Sequence, residues 1–213
     1  MKYEFLLERL GKQGFFDLAT LVQITDERRK SIQMQLSRWC RNGKLIPLRR
    51  GMYAIPEPYH PRPVNPAALA NHLYTPSYIS LFWALGYYGL IPEKVVALTC
   101  ISSRVTRFFE NEFGRFHYRH VKPCAFFGYR QVDMNGCPVR IAEPEKALLD
   151  LWYLEPGSWT PERLFEMRFQ NTECLDVDRL EDYAQRFVSK KLNQIVNTWI
   201  DLKRTNESGA VAL

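Results

Sequence analysis

The chain has 213 residues, of which 46% are hydrophobic and 24% charged, and a formal net charge of +6, which fits a protein of two modest domains. Its five widely spaced cysteines include no C-x-x-C pair and favour neither a disulfide framework nor a zinc site. Because apolar runs fall short of the roughly 18 residues of a membrane span and the N-terminus lacks a signal-peptide pattern, we expect a cytoplasmic protein that does not enter a membrane.

The excess positive charge is confined to the first quarter of the chain. Residues 1–55 carry 11 Lys/Arg against 5 Asp/Glu, whereas residues 56–213 carry 18 of each. Positive charge concentrated on one small region is typical of a surface that binds nucleic acid. The sequence therefore predicts a basic domain over residues 1–55, a Pro-rich linker over 56–66, a larger domain over 67–202 and a disordered tail over 203–213.

Three helices are predicted in the basic domain. The first is indicated by apolar residues at helical spacing from Tyr3 to Leu10 and ends near Gly11, and a second, short helix is expected from about Phe16 to Ile24. In the third, one face is apolar and packs inward: Ile32, Leu36, Trp39 and Cys40. The remaining faces of this third helix are left for solvent or a ligand.

The outward residues of the third helix have the chemistry of a recognition helix. The first turns of such a helix contact base edges, and later residues contact phosphates. The base-edge candidates are Lys30 and Met34, which face outward, and Arg29 and Gln33, which lie near the helix start and flank the apolar stripe. The phosphate candidates are Arg28, Arg38 and Arg41.

A short basic hairpin follows the third helix. Asn42-Gly43 can end the helix, a strand runs from Lys44 to Leu48, and Met52 to Ile55 return as its partner. Arg49 and Arg50 form the tip, which predicts a wing beside the recognition helix. We include Lys44 with Arg49 and Arg50 among the DNA-binding candidates. A basic helix or a basic hairpin alone is more often a solvated surface, but both together, in this order, favour DNA binding.

The larger domain is predicted to be α+β. Two apolar helical segments, NPAALANHLY and SYISLFWALGYYGLIPE, precede five short segments rich in β-branched and aromatic residues. Asn135-Gly136 separates the last two of these and is a strong hairpin signal. Helices resume with EPEKALLDLWYL, in which Pro144 suits the first turn, and three more begin near Thr160, Asp176 and Ser189.

Patterns for catalysis or metal binding are weak. His117 and His120 are three residues apart in a predicted strand and therefore lie on opposite faces, which makes them poor joint ligands. Glu143, Glu145, Lys146 and Asp150 resemble the acidic cluster and lysine of a nuclease, but E-P-E-K begins a helix, whereas a nuclease usually places its acidic residue and lysine on a strand. We therefore predict no catalytic residue, metal or cofactor.

The order of several segments resembles the AbiEi-type antitoxins of type IV toxin–antitoxin systems. The resemblance rests on LRRGMYAI, the Pro-bearing linker, SYISLFWALGYYGLIPE and IAEPEKALLDLWYL, and it covers most of residues 15–200. It implies an N-terminal winged helix-turn-helix domain that represses its own operon at inverted DNA repeats. It also implies a C-terminal domain that counteracts a nucleotidyltransferase-like toxin without necessarily binding it. The family's basic face falls on Arg28, Arg29, Lys30, Arg38, Arg49 and Arg50.

Two further functions stay open. The chain could be a DNA-directed nuclease that uses the winged domain for targeting, or its second domain could only mediate assembly with a protein partner. No apolar heptad is left for a dimer seam, so we expect a monomer in solution whose copies meet on DNA.

Overall fold

The computed structural model describes residues 1–12, 14–60 and 63–209. Its helices and its two β-sheets confirm the α+β class. No helix in the described part of the chain combines the length and apolar character needed to cross a bilayer.

The N-terminal region alternates helices with a small sheet. Its elements are α1 (Tyr3–Leu10), β1 (Phe15–Asp17), α2 (Leu18–Gln23), α3 (Arg29–Arg41), β2 (Ile46–Arg49) and β3 (Met52–Ala54). The three strands are antiparallel in the order β1-β3-β2. The expected helix from Phe16 therefore begins later, because Phe15 to Asp17 pair with β3 and the Asp17 carboxylate caps α2 by accepting from the Thr20 N–H.

The inward face of α3 is confirmed. Ile32 and Leu36 are fully buried and Trp39 is 5% exposed, while Cys40 is half-buried against the same cluster. The Trp39 ring makes an edge contact with Tyr3, with centroids 5.1 Å apart. This packing fixes the rotation of α3 about its axis, so its outward residues are fixed as well.

The second region contains a six-stranded mixed sheet. The strands are β4 (Tyr78–Ile79), β5 (Leu98–Ser102), β6 (Arg107–Asn111), β7 (Gly114–His120), β8 (Tyr129–Met134) and β9 (Cys137–Ala142), in the order β6-β7-β5-β4-β9-β8. The β4–β9 and β5–β7 pairs are parallel and the others antiparallel. The Asn135-Gly136 hairpin is confirmed, since both residues have positive φ, 58° and 78°.

Six helices surround this sheet in the described residues: α4 (Pro66–Leu73), α5 (Leu81–Tyr87), α6 (Pro144–Leu154), α7 (Pro161–Glu166), α8 (Val177–Arg186) and α9 (Lys190–Gly209). The segment expected to form one helix from Ser77 is instead strand β4 followed by α5, because Tyr78 and Ile79 are buried in the sheet. Helix α9 also includes residues 203–209, which belong to the segment predicted as a disordered tail. Residues 210–213 lie outside the described residues.

The two regions share apolar contacts. Phe15, Leu48, Met52 and Ala54 belong to the same buried cluster as the second region, and the Phe15 ring lies 5.1 Å from the His72 ring. The expected linker contains a short 3-10 helix at Glu57–Tyr59; Pro61 and Arg62 within it lie outside the described residues. The hairpin is therefore held against the second region by direct packing.

Candidate nucleic-acid interface

Helix α3 presents its cations to solvent. Successive helical residues are about 100° apart, which places Lys30, Met34 and Arg41 opposite the buried stripe. All three are exposed, and Met34 is 65% exposed. Arg28, at the N-cap, and Arg38 are exposed as well. The predicted recognition residues therefore form one accessible basic surface.

A groove joins the first turns of α3 to the hairpin. It has a volume of about 400 Å³ and is lined by Arg29 and Gln33 from α3 and by Arg49 and Arg50 from the hairpin. Asp17 also lines it, but its carboxylate is already engaged as the cap of α2. Two of the base-edge candidates and both wing candidates thus meet at one surface.

The two hairpin arginines differ in their surroundings. Arg50 and Gly51 form the turn, and Arg50 is exposed, whereas Arg49 is the last residue of β2 and is half-buried. The Arg49 Nη1 donates to the Arg50 carbonyl oxygen at 3.2 Å, and its Nε is buried without a hydrogen-bond partner among the described residues. Only Arg50 therefore has the free position that the sequence predicted for both.

Arg49 points towards the second region. Burial raises the pKa of the Tyr118 hydroxyl above its ordinary value, and the nearby Arg49 charge opposes that shift. Tyr118 is a core residue of β7 and donates to the Ala70 carbonyl oxygen at 2.6 Å. The Arg49 side chain is thus placed between the hairpin and the larger sheet.

Lys44 lies apart from the groove. Its ammonium is 5.1 Å from the centre of the Tyr3 ring, and its carbonyl oxygen accepts from the Tyr3 hydroxyl at 2.6 Å. These contacts tie Lys44 to α1, near the C-terminal end of α3. The structure does not bring it to the other hairpin cations.

Sequence reasoning missed a second group of cations beside the hairpin. A cleft of about 330 Å³ places Arg104 and Arg107 of the second region next to Arg49 and Arg50. The Arg104 guanidinium lies 4.8 Å from the centre of the Tyr74 ring, and its Nη1 donates to the Thr75 carbonyl oxygen at 3.1 Å. We call these four residues the arginine cleft. The residues that form it are far apart in sequence, so no local pattern marked them.

The acidic residues and histidines noted in the sequence contact other protein groups. Lys146 and Asp150 are fully buried and paired with each other, and Asp150 also accepts from the Ser80 hydroxyl at 2.7 Å. Burial lowers the pKa of Lys146 and raises that of Asp150. Glu143 accepts from the Tyr183 hydroxyl and Glu145 from the Asp176 N–H.

The two histidines of β7 have separate surroundings. The His117 ring makes an edge contact with Phe108 at 4.7 Å, and the His120 Nδ1 lies 3.0 Å from the Arg104 carbonyl oxygen. Within the described ranges, no group of three or more His, Cys, Asp and Glu side chains is arranged to hold a metal ion.

Comparison of the chain with protein-family models and with curated proteins finds no match. The functional argument therefore depends on the geometry and charge of the surfaces described above.

Proposed function

We propose that this protein is a DNA-binding transcriptional repressor of its own operon and the antitoxin of a type IV toxin–antitoxin system. The observation that carries the DNA-binding part is the groove in which Arg29 and Gln33 of α3 meet Arg50 of the hairpin. The helix that supplies these residues has its apolar face buried and its cations exposed.

The order of elements supports a winged helix-turn-helix interpretation. Helices α2 and α3 follow β1, and the β2–β3 hairpin comes directly after α3. In that arrangement the second helix of the pair enters the major groove, which is wide enough for an α-helix. The hairpin then lies beside the same stretch of DNA.

Each side chain of the surface has a role in this proposal. Gln33 can form a bidentate pair with adenine, and Lys30 can donate to guanine O6 or N7. Arg50 contacts a phosphate from the hairpin, and Arg38 and Arg41 contact phosphates from the later turns of α3. Met34 offers an apolar contact, for which the thymine methyl group is the natural partner.

The antitoxin part of the proposal rests on the resemblance carried by SYISLFWALGYYGLIPE and IAEPEKALLDLWYL. These segments form β4, α5, the end of β9 and α6, which together build the centre of the second region. The partner would be a nucleotidyltransferase-like toxin, opposed with or without direct contact.

DNA titration with the promoter region of the protein's own operon tests the first part. Lys30→Ala and Gln33→Ala should each lose about 1–3 kcal/mol of discrimination between that DNA and a scrambled duplex. Arg9→Ala removes an exposed cation from α1, outside the groove, and serves as the matched control. Equal affinity of the parent for both duplexes would refute sequence-specific recognition.

Growth rescue tests the second part. The full chain and its Lys30→Ala variant should both relieve the toxicity of a nucleotidyltransferase-like protein encoded beside it, because recognition and antitoxicity are assigned to different regions. Loss of rescue in the variant would contradict this division. Mg²⁺-dependent cleavage of plasmid DNA by the purified chain would instead favour the nuclease alternative.

A further inference from the structure

We infer that the arginine cleft binds the phosphates of a nucleoside polyphosphate, and that this small ligand competes with DNA for the hairpin. The cleft lies between the hairpin, which supplies Arg49 and Arg50, and the second region, which supplies Arg104 and Arg107. Binding of the polyphosphate does not depend on the protein's role on DNA, whereas its competition with DNA rests on the proposed function.

The charge of the cleft favours the binding of an anion. Four guanidinium groups line it, and its walls contain no carboxylate. In the part of the chain that the structure describes, none of the four forms an ion pair with Asp or Glu. Like charges gathered in this way repel one another, so an anion between them is stabilised by all four.

The donors of the cleft suit phosphate in particular. The planar guanidinium forms paired hydrogen bonds with phosphate oxygens, and its charge cannot be removed by deprotonation. The buried Nε of Arg49 has no partner among the described residues, although such a group ordinarily finds one. Arg104 is already held in place by Tyr74 and Thr75, which reduces the entropy lost when a ligand binds.

Size and aromatic content favour a nucleotide over a duplex. About 330 Å³ lies within the range of small-molecule sites, and the lining includes the buried Leu73 and Tyr74, which a duplex backbone cannot approach as closely as a small ligand. The Phe108 ring at the rim is 51% exposed and offers a surface on which a base can stack. The phosphates would lie among the arginines and the base against Phe108.

The cleft and the α3 groove share two residues. Arg49 and Arg50 line both, and Arg50 is the exposed one, so a ligand that draws the Arg50 side chain towards Arg104 and Arg107 removes it from DNA. The polyphosphate should therefore weaken DNA binding. A ligand that reports the nucleotide state of the cell would in this way release the operator.

Calorimetric titration of the full chain with ATP and with pyrophosphate, in the absence of DNA, tests the binding. Both should bind saturably at one site, and adenosine should not bind. Arg104→Ala/Arg107→Ala should weaken binding by roughly tenfold or more, since charge-assisted hydrogen bonds are lost. Arg115→Ala removes an exposed cation on β7, outside the cleft, and should leave the affinity for ATP and pyrophosphate unchanged. Phe108→Ala should weaken ATP but not pyrophosphate.

Thermal melts of each variant separate loss of the site from loss of the fold. Arg107→Ala alone is the second test, because the exposed Arg107 side chain forms no hydrogen bond with other described residues. This variant should lose several-fold in pyrophosphate affinity. Absence of saturable binding to the parent, or equal loss in Arg115→Ala, would overturn the site.

DNA titration with and without saturating ATP tests the competition. ATP should raise the Kd for DNA in the parent and leave that of Arg104→Ala/Arg107→Ala unchanged. If the parent binds ATP and DNA together without mutual effect, the competition is refuted. If ATP does not bind and the double variant loses only DNA affinity, the cleft holds a DNA phosphate and the inference is wrong. If the parent binds no DNA, the proposed function fails while the calorimetric result still stands.

Discussion

Helices α3 and α6 use positive charge in opposite ways. The four cations of α3, which are Arg29, Lys30, Arg38 and Arg41, are all exposed and lack a carboxylate partner in the described residues. The single lysine of α6, Lys146, is fully buried and paired with Asp150. A cation that the protein neutralises internally supports the fold, whereas cations left in water are available to an external anion.

The surroundings of Lys146 explain how a lysine can be buried at the centre of a domain. Its ammonium donates to the Tyr78 hydroxyl at 2.8 Å and lies 4.7 Å from the centre of the Phe187 ring. Gly128 allows its stem to pass: a Cβ at this positive-φ position would lie 3.0 Å from the lysine Cγ. The network therefore depends on β4, α6 and the loop before β8 together.

The largest effect is expected at this buried pair. Asp150→Ala should lower the free energy of unfolding by about 3–5 kcal/mol, because it leaves the buried Lys146 charge without compensation. The Lys146→Met/Asp150→Ala double variant should be more stable than Asp150→Ala alone. Urea denaturation of the single and double variants measures both.

The partly exposed pair Arg119–Glu155 provides the control for this experiment. Its groups are 3.3 Å apart and about one third exposed, so Glu155→Gln should change stability by only about 0–1 kcal/mol. A double variant less stable than Asp150→Ala would show that Lys146 stabilises the core without its partner, and the contrast between the two helices would lose its electrostatic basis.

A comparable loss of stability is expected from a substitution on the buried face of α3, and almost none from a substitution on its exposed face. Trp39→Ala should lower stability by about 3–5 kcal/mol, because it removes a core ring that packs against Tyr3. Met34→Ala should change it by no more than about 0.5 kcal/mol. Thermal melts of the two variants measure this difference, and similar melts would mean that α3 is rotated from the position described.

Local patterns in the sequence predicted the elements whose formation depends on neighbouring residues. The stripe of α3, the Asn135-Gly136 turn and the starts of α6, α7 and α8 follow from spacing, positive-φ residues and caps within a few positions. Strands β1 and β4 were missed because they have three and two residues and exist only through distant partners, Met52–Ala54 for β1 and β5 and β9 for β4.

The candidate interface was predicted only in part, again because sequence patterns report on neighbouring residues and not on distant partners. The α3 candidates share one helix, so helical spacing predicts that Lys30, Met34, Arg38 and Arg41 point away from the core, with Arg29 and Gln33 beside the buried stripe. The burial of Lys146 and Asp150 was missed because charges four residues apart are typical of an exposed helix face. The arginine cleft was missed because residues 56–213 have no net charge, which concealed the local excess at Arg104 and Arg107.

The smallest effect separates the two hairpin arginines and should appear in the salt dependence of DNA binding, together with weaker binding to every DNA sequence. Arg49→Ala/Arg50→Ala should reduce the magnitude of the log Kd against log[salt] slope by about one to two units, at about 0.9 per lost phosphate contact, for specific and scrambled DNA alike. Because Arg50 is exposed and Arg49 half-buried, Arg50→Ala should account for about 0.9 of that change by itself. Arg115→Ala should leave the slope as it is. An unchanged slope in the double variant would remove the hairpin from the DNA interface and leave α3 as the whole of it.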